Sequence, residues 1–497
     1  MKLSALARFL KDAVVAVAGR DPEIGSVTHD SRKVTPGALF CAFPGRVADG
    51  KSFLPEAIAR GAAACLGLPP AAEGIPYVAT PRPREAAALC AAALAGHPAE
   101  KLVMAGITGT SGKTTTTLLV ERILSRVHPV TGLFGTLVYR GGRQDVEAAR
   151  TTPEATDLQA MLGDLVADGG SAAVMECSSH ALVLDRLTGC SFDAAVFLNL
   201  SRDHLDFHGS MEEYFEAKAR LFSLLKPGGL GVVNADDPYG QRILARFPER
   251  TWGFSFDNDS YARIFGVYRI GKDGLRMVVI DRGTGLSFEF LSKLTGAPNA
   301  QNLLAAAATG LSLGVAGAEI ATALESVEKI PGRLELISNE ALRQVFVDYA
   351  HKPGALEGVL RAVRDLASTE GARVIAVFGC GGERDRGKRP LMGRIAALLA
   401  DDTILTSDNP RSEDPAAILA EIREGYESTG KAATTIIDRR EAIAEALLRS
   451  RRGDIVLIAG KGHETYQIVG DEHLPFDDRE VASQLLAKLA SGELATV

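Results

Sequence analysis

Between residues 102 and 460 the chain repeats one pattern, a short apolar run that ends abruptly in a polar segment. LVMAGI (102–107) leads into TGTSGKTT, AAVME (172–176) into CSSH, AAVFLNL (194–200) into SRDHLDFHG, and LGVVN (230–234) into ADDPYG. Farther on, QVFVD (344–348) leads into YAHKP, RVIAVFG (373–379) into CGGERDRGKRP, TILTS (403–407) into DNPRSEDP, and DIVLIAG (454–460) into KGHE. Apolar strands alternating with helical stretches call for a parallel sheet covered by helices, so the fold class is α/β. In open parallel sheets ligands bind beyond the carboxyl ends of the strands, and these polar segments fall there.

The pattern divides the chain into three blocks. Residues 1–97 hold GALFCAF (37–43), a helical stretch FLPEAIARGAAACL (53–66) and an alanine-rich helix REAAALCAAALAG (84–96). Gly96 followed by His97-Pro98 is a helix stop and marks a domain boundary. Residues 98–329 form a second block. Within it, 251–292 reads as short polar strands and turns, an antiparallel appendage on the same domain. Residues 330–497, from KIPGRLE onward, form the third. A length of 497 residues suits three domains. A content of 46% hydrophobic and 24% charged residues excludes disorder and a collagen-like fibre. The net charge of −7 argues against a nucleic-acid partner. Six cysteines, at 41, 65, 90, 177, 190 and 380, form no CxxC pair, so no zinc or redox motif is expected. The N-terminus has no signal-peptide pattern, and no run reaches the ~20 apolar residues of a membrane span. A soluble, cytoplasmic, monomeric enzyme with no membrane partner is expected.

GITGTSGKTTTT (106–117) follows a strand and opens a helical pattern. A glycine loop backed by a helix N-terminus is a concave anion site, in which Lys113 reaches the outer phosphates and Thr114 can ligate Mg²⁺. The usual spacing asks for glycine at 107, where Ile107 stands, so the loop is a variant. ATP and GTP both remain open on this motif, although no guanine motif such as NKxD is present. Glu176, at a strand end, is an oxygen ligand suited to Mg²⁺. His204 and His208 share a loop with Asp203 and Asp206; taken alone they read as hydrogen bonders of the loop more often than as ligands, by about two to one. Lys218, among Glu212, Glu213 and Glu216, reads from composition as a solvated surface lysine.

GTSGKTT, TTPE, ECSSHAL, NLSRDHLDFHG, YFEAKARLF, GAPNAQN (296–302), PGRLE, DYAHKP and GKGHE occur in the order seen in the Mur ligase family, which this chain resembles over nearly its whole length. HDSRKVTPGALFCAFPGRVADG resembles the substrate-nucleotide domain of the branch that makes UDP-MurNAc-tripeptide. The resemblance implies a central P-loop parallel-sheet ATPase domain, flanked by an N-terminal UDP-substrate domain and a C-terminal Rossmann-like domain that takes the incoming amino acid. It implies an ATP-dependent ligase of peptidoglycan precursor synthesis. ATP phosphorylates the γ-carboxylate of D-Glu in UDP-MurNAc-L-Ala-D-Glu, and the amine of meso-diaminopimelate attacks the acyl phosphate.

Roles follow by the same resemblance. Gly109, Thr110, Ser111, Gly112, Lys113, Thr114 and Thr115 cradle the phosphates. Thr114 and Glu176 hold one Mg²⁺; His204, with Lys218 carbamylated by CO₂, helps hold a second. Asn302, Arg333 and Asp348 contact adenine, phosphate and ribose. Ser31 and Arg46, Val47 and Ala48 match the uridine region, and Thr151, Thr152, Ser178 and Arg186 match the muramoyl-dipeptide contacts. Arg150 and Leu184 depart from the family, which commonly has asparagine and an amide side chain there. Arg384, Asp408, Asn409, Pro410, Arg411, Gly460 and Glu464 match the diaminopimelate pocket, Arg411 taking the second carboxylate and Asp408 or Glu464 the distal ammonium. Alone, DNPR is equally an Asn-Pro turn carrying a surface arginine. The alternatives are the L-lysine-adding branch and, in another class, a P-loop nucleotide switch. Because Arg333 and Asp348 lie in the third block and the phosphate loop in the second, closure of one domain over the other is expected.

Overall fold

In the computed structural model, which describes residues 1–10, 16–18, 20–45, 49–70, 72, 74–141, 145–257, 262–271, 273–338, 344–367 and 371–494, the strands assemble into three main sheets and one small hairpin. The first sheet is ordered Ala16–Ala18, Tyr77–Ala79, Ala64–Gly67, Ala38–Ala42, Ser26–Thr28, and only the pairing at Ala16–Ala18 is antiparallel. One expectation fails here. The helix expected over 53–66 stops at Ala59; Gly61 turns the chain at φ +97°, and Ala64–Gly67 is a buried strand. Alanine's helical preference is weak, and burial between two neighbouring strands overrides it.

The second sheet has eleven strands. At its middle lies Val103–Thr108, parallel to Phe192–Phe197 on one side and to Ala172–Glu176 on the other. This is the topological switch point, and the phosphate loop leaves the sheet from it. Ala172–Glu176 is buried throughout, which is why it reads as an uninterrupted apolar run. One face is covered by the helices Lys113–Leu124 and Ala297–Ser312, which contribute Leu119, Ile123, Leu303 and Ala306 to the core. The other face is covered by Ala155–Ala167 and Met211–Ala219, through Leu158, Leu162, Tyr214 and Phe215. The segment 251–292 is antiparallel in its later strands, as expected of an appendage on this domain, but it is continuous with the central sheet. Thr251–Ser255 continues the parallel sheet, and Ile264–Gly271, Gly274–Asp281 and Leu286–Ser292 extend it as an antiparallel meander.

The third sheet is ordered Glu335–Ser338, Gln344–Asp348, Ile455–Ala459, Val374–Phe378, Asp402–Leu405, Thr434–Thr435, with only the first strand antiparallel. All six cysteines are free and buried, and burial pushes the thiols up, Cys380 to about 12. Among the described residues no helix is long and apolar enough to cross a membrane.

Candidate active site between the central and C-terminal sheets

A cavity of about 680 Å³ lies over the switch point of the central sheet, walled by the phosphate loop and Glu176 below and by Arg333, Asp348, Lys352 and Arg384 above. The loop's geometry depends on Gly112, at φ +84°. A Cβ there would sit 2.4 Å from Asn302 Oδ1. Gly112→Ala is therefore expected to displace Asn302 and strain the loop, weakening nucleotide binding at least tenfold; titration with a fluorescent ATP analogue checks this.

Two lysines point at one carbonyl. Lys113 Nζ donates to Gly109 O (2.8 Å) and Thr110 O (3.2 Å), and Lys218 Nζ donates to Gly109 O (2.9 Å). Burial, with Lys352 adding repulsion, brings Lys113 down to about 8. Lys218 is not the surface lysine that composition suggests. It is 1% exposed, lies 4.7 Å from the Tyr214 ring centre, and is driven well below the ordinary lysine range by burial and then by Lys113. Thr110 Oγ1 meets Tyr214 Oη at 3.2 Å, Ser111 N donates to Asn199 Oδ1 (2.9 Å), and Thr115 lines the same cavity.

Glu176 is held by Thr114, its expected partner, and by Thr136, which sequence reasoning missed. Thr136 N donates to its Oε1 (2.7 Å), and Thr114 Oγ1 and Thr136 Oγ1 donate to its Oε2 (3.1 and 3.3 Å). Gly135 is required because a Cβ would lie 2.6 Å from Oε1. Thr136 Oγ1 also reaches Thr151 Oγ1 (3.2 Å). No sequence signal marked the Gly135-Thr136 turn, since it carries no charged or ring group.

The histidine loop is ordered around Asp203, which pairs with Lys352 of the third block and with His204 Nε2 (3.1 Å). Burial raises Asp203, but the Lys352 ammonium outweighs it and holds the carboxyl at about 2; burial and then Lys352 drop His204 to about 3. His204 and Lys218 both border Tyr214, the His204 ring centre at 6.3 Å. His208 Nε2 meets Ser179 Oγ (2.9 Å), a structural contact. Among the described residues no three His, Cys, Asp or Glu side chains converge as a metal cage.

The residues matched to the dipeptide converge next to Glu176. Thr152 Oγ1 donates to Glu176 O (2.7 Å) and accepts from Ser178 N (3.1 Å), while Arg186 Nη1 donates to Thr152 O (3.2 Å). Arg186 already has a carboxylate, Glu154, whose Oε1 lies 2.9 Å from its Nη2. Ser31 is buried and donates to Glu56 Oε2 (2.7 Å) within the first block. Arg46, Val47 and Ala48 lie outside the described residues.

Of the three nucleotide residues, Asn302 Oδ1 accepts from Thr116 Oγ1 (3.3 Å), and Arg333 Nη2 donates to Thr114 Oγ1 (3.0 Å). Asp348 lines the cavity, but both its oxygens already accept, from Leu334 N and Ala350 N (2.7 Å each), and burial raises its pKa. The third sheet thus stands over the phosphate loop without ligand.

The DNPR turn forms a compact cluster with GKGHE. Asn409 Nδ2 donates to Glu464 Oε2 (2.9 Å). Lys461, another residue that sequence reasoning passed over, is fully buried and donates to Asn409 Oδ1 (3.0 Å) and Glu464 Oε2 (3.2 Å). Asp408 Oδ1 is buried, has no hydrogen-bond partner, and lies 3.8 Å from Lys461 Nζ. Gly460, at φ +119°, passes within 3.4 Å of Asp408 Oδ2, measured from the Cβ position. Arg411, itself at φ +53°, donates from Nη1 to Gly382 O (2.7 Å), and the Pro410 carbonyl packs against Gly382. Arg384 lines the main cavity, and its Cγ approaches Gly381 on the side where Arg411 Nη1 and the Asn409 carbonyl also lie.

Comparison with known proteins agrees along the whole chain. Residues 23–95 match the Mur ligase family catalytic domain, 107–310 the Mur ligase middle domain, and 332–462 the Mur ligase glutamate ligase domain. The chain is 46% identical over 478 residues to the UDP-N-acetylmuramoyl-L-alanyl-D-glutamate-2,6-diaminopimelate ligase of Gloeobacter violaceus, covering 95% of each. It is 42% identical to the protein of the same name from Geobacter metallireducens, covering 99% of each. A solved structure of a ligase of that name is 33% identical, with a TM-score of 0.66 over 98% of this chain and 99% of the other. The MurF ligase of Thermotoga maritima, solved with ADP, shares the fold at 20% identity, with a TM-score of 0.63 over 94% of this chain and 97% of the other. From first sheet to last, the chain belongs to the Mur ligase family.

Proposed function

We propose that this protein is the ATP-dependent ligase that joins meso-diaminopimelate to the γ-carboxylate of UDP-MurNAc-L-Ala-D-Glu, releasing ADP and phosphate. The observation that carries the chemistry is one cavity in which a phosphate loop, a strand-end carboxylate and an arginine-threonine cluster meet. A carboxylate is a poor electrophile, and its phosphorylation supplies a leaving group. Because two anions must meet first, cationic groups are needed to offset their repulsion. Lys113 is placed to hold the triphosphate and the transferring phosphoryl group, and Arg333 approaches the same point from above. Thr152, Ser178 and Arg186 orient the acid. The incoming amine then attacks the acyl carbon, and phosphate leaves as the amide forms.

The residues fit Mg²⁺ as an oxygen-ligated ion: Thr114 and Glu176 offer oxygens within 3.1 Å of each other beside the phosphate loop. His204 and Lys218 would serve a second ion. Lys218 fits carbamylation because burial disfavours its charge and leaves the amine that reacts with CO₂. When bound, Mg²⁺ supplies positive charge between triphosphate and acid. We assign residues 1–97 to the UDP substrate, 98–329 to ATP and 330–497 to the amino acid, with the enzyme a cytoplasmic monomer. We assign Asn302 and Asp348 to the nucleoside of ATP and Ser31 to the uridine, with Arg46, Val47 and Ala48 assigned to the uridine by the resemblance alone.

Arg411 is the assigned partner of the second carboxylate of diaminopimelate, a group that lysine lacks. Asp408 Oδ1 and Glu464 sit where a distal ammonium would be bound, with Lys461 holding the pair in place. Phosphate release from ATP and UDP-MurNAc-dipeptide is expected with diaminopimelate and not with lysine or with neither. Arg411→Ala should lower kcat/KM for diaminopimelate by about 10- to 100-fold, the worth of a charge-assisted pair. Preference for lysine would move the enzyme to the other branch. Nucleotide binding with no amino-acid-dependent phosphate release would leave a nucleotide switch.

A further inference from the structure

Glu154 holds three arginines. Its Oε1 takes Arg150 Nη1 (2.7 Å) and Arg186 Nη2 (2.9 Å), and its Oε2 takes Arg84 Nη1 (3.1 Å) from the first block. Glu154 is nearly buried, its side chain 8% exposed, so one carboxylate faces three guanidinium groups in a half-dry place. The count leaves two positive charges unmatched. Arg186 Nε is buried with no hydrogen-bond partner. Arg150 differs from its two companions: its side chain is 53% exposed and lines the cavity, and among the described residues its Nε and Nη2 make no hydrogen bond. Its backbone is nevertheless fixed, since Tyr139 Oη bonds both Arg150 O and Arg150 N. A firmly rooted arginine with a free fork, beside a second arginine that has an unmet donor, is arranged for a planar anion.

We propose that Arg150, together with Arg186, binds the α-carboxylate of the D-Glu residue of the substrate and so determines specificity for an acid at that position. The inference rests on the function proposed above. The γ-carboxylate must reach the phosphate loop beside Glu176, and the α-carboxyl carbon of the same residue is four bonds away, at most about 5 Å. Thr152 donates to the Glu176 backbone carbonyl on that side, and Arg186 donates in turn to the Thr152 carbonyl. The substrate diphosphate is the other anion available. It lies at the opposite end of the molecule, with the uridine assigned to the first block.

The test compares UDP-MurNAc-L-Ala-D-Glu with its α-amide, in which D-isoglutamine keeps the shape and loses the charge. The unaltered enzyme should prefer the acid by at least about tenfold in KM, the lower end for a charge-assisted hydrogen bond. Arg150→Asn should raise KM for the acid about tenfold, leave KM for the amide within about twofold, and leave kcat near its starting value; Arg150→Lys should recover part of the preference. Equal losses on both substrates would mean that Arg150 acts through Glu154 or on the diphosphate, and would overturn the proposal. An unchanged preference in Arg150→Asn would overturn it as well. No turnover of either substrate by the unaltered enzyme would instead remove the parent reading, and this one with it.

Discussion

Lys113→Met is expected to cut the chemical step by about two to three orders of magnitude, the usual cost of removing one preorganised donor from a developing oxyanion. Single-turnover ADP formation measures it, and a loss smaller than tenfold would dismiss Lys113 from phosphoryl transfer. The pH dependence has a definite sign. Lys113 carries its charge below about 8 and loses it above. ATP affinity at the empty site should therefore weaken as pH rises through 8, and Lys113→Arg should flatten that limb. Linkage runs the other way for folding. The folded state holds this proton less tightly than the unfolded chain, so the penalty is full below about pH 8 and fades between about 8 and 10.5. Lys113→Met should accordingly raise the Tm of the ligand-free protein at neutral pH while destroying its activity, a conflict expected where function requires a buried cation.

The largest stability effect is expected at Arg439 and Asp478. Both side chains are fully buried and form a two-pronged pair at 2.7 Å. Arg439 also donates to Ser407 O (3.3 Å) and Ala459 O (3.0 Å), the carbonyls just before Asp408 and Gly460. Arg439→Met leaves a buried carboxylate unpaired and should cost about 3–5 kcal/mol, whereas replacing both partners by apolar residues should recover much of it. Denaturant unfolding reads this in the transition of the C-terminal sheet, since a chain of several sheets need not unfold in one step. If the single replacement costs under about 1 kcal/mol, the pair does not hold that sheet together. Diaminopimelate binding should weaken in parallel, because the pair anchors both strands that carry the amino-acid cluster.

Most strands were legible because burial on two faces leaves an apolar run that no surface helix would tolerate. Ala64–Gly67 was not, because alanine and cysteine carry no strand signature and its fate depends on paired neighbours elsewhere in sequence, Tyr77 beside Cys65 and Leu39 beside Ala64. The motifs located the catalytic groups but not what orients them. Thr136 is a neutral residue in an unmarked turn, and Lys461 hides inside a glycine-flanked tetrapeptide. In FDDRE (476–480), Asp477 caps the helix Asp478–Ser491 by accepting from Arg479 N (2.8 Å). Its neighbour Asp478 does something else, which one sequence cannot reveal because its partner lies 39 positions earlier and looks like any surface arginine. Lys218 shows the limit most sharply: three glutamates around it on a helix suggest water, whereas the packing of that helix turns it inward.

The bridges from Arg333 to Thr114 and from Lys352 to Asp203 join the central and C-terminal blocks, and the first of them uses two groups that are assigned to nucleotide handling. The two blocks are therefore tied together by contacts that include working parts of the site. An arriving nucleotide must exchange one set of partners for another rather than drop into an open bowl. Admission and departure are then governed by how fast one largely buried ion pair and one arginine–hydroxyl hydrogen bond let go.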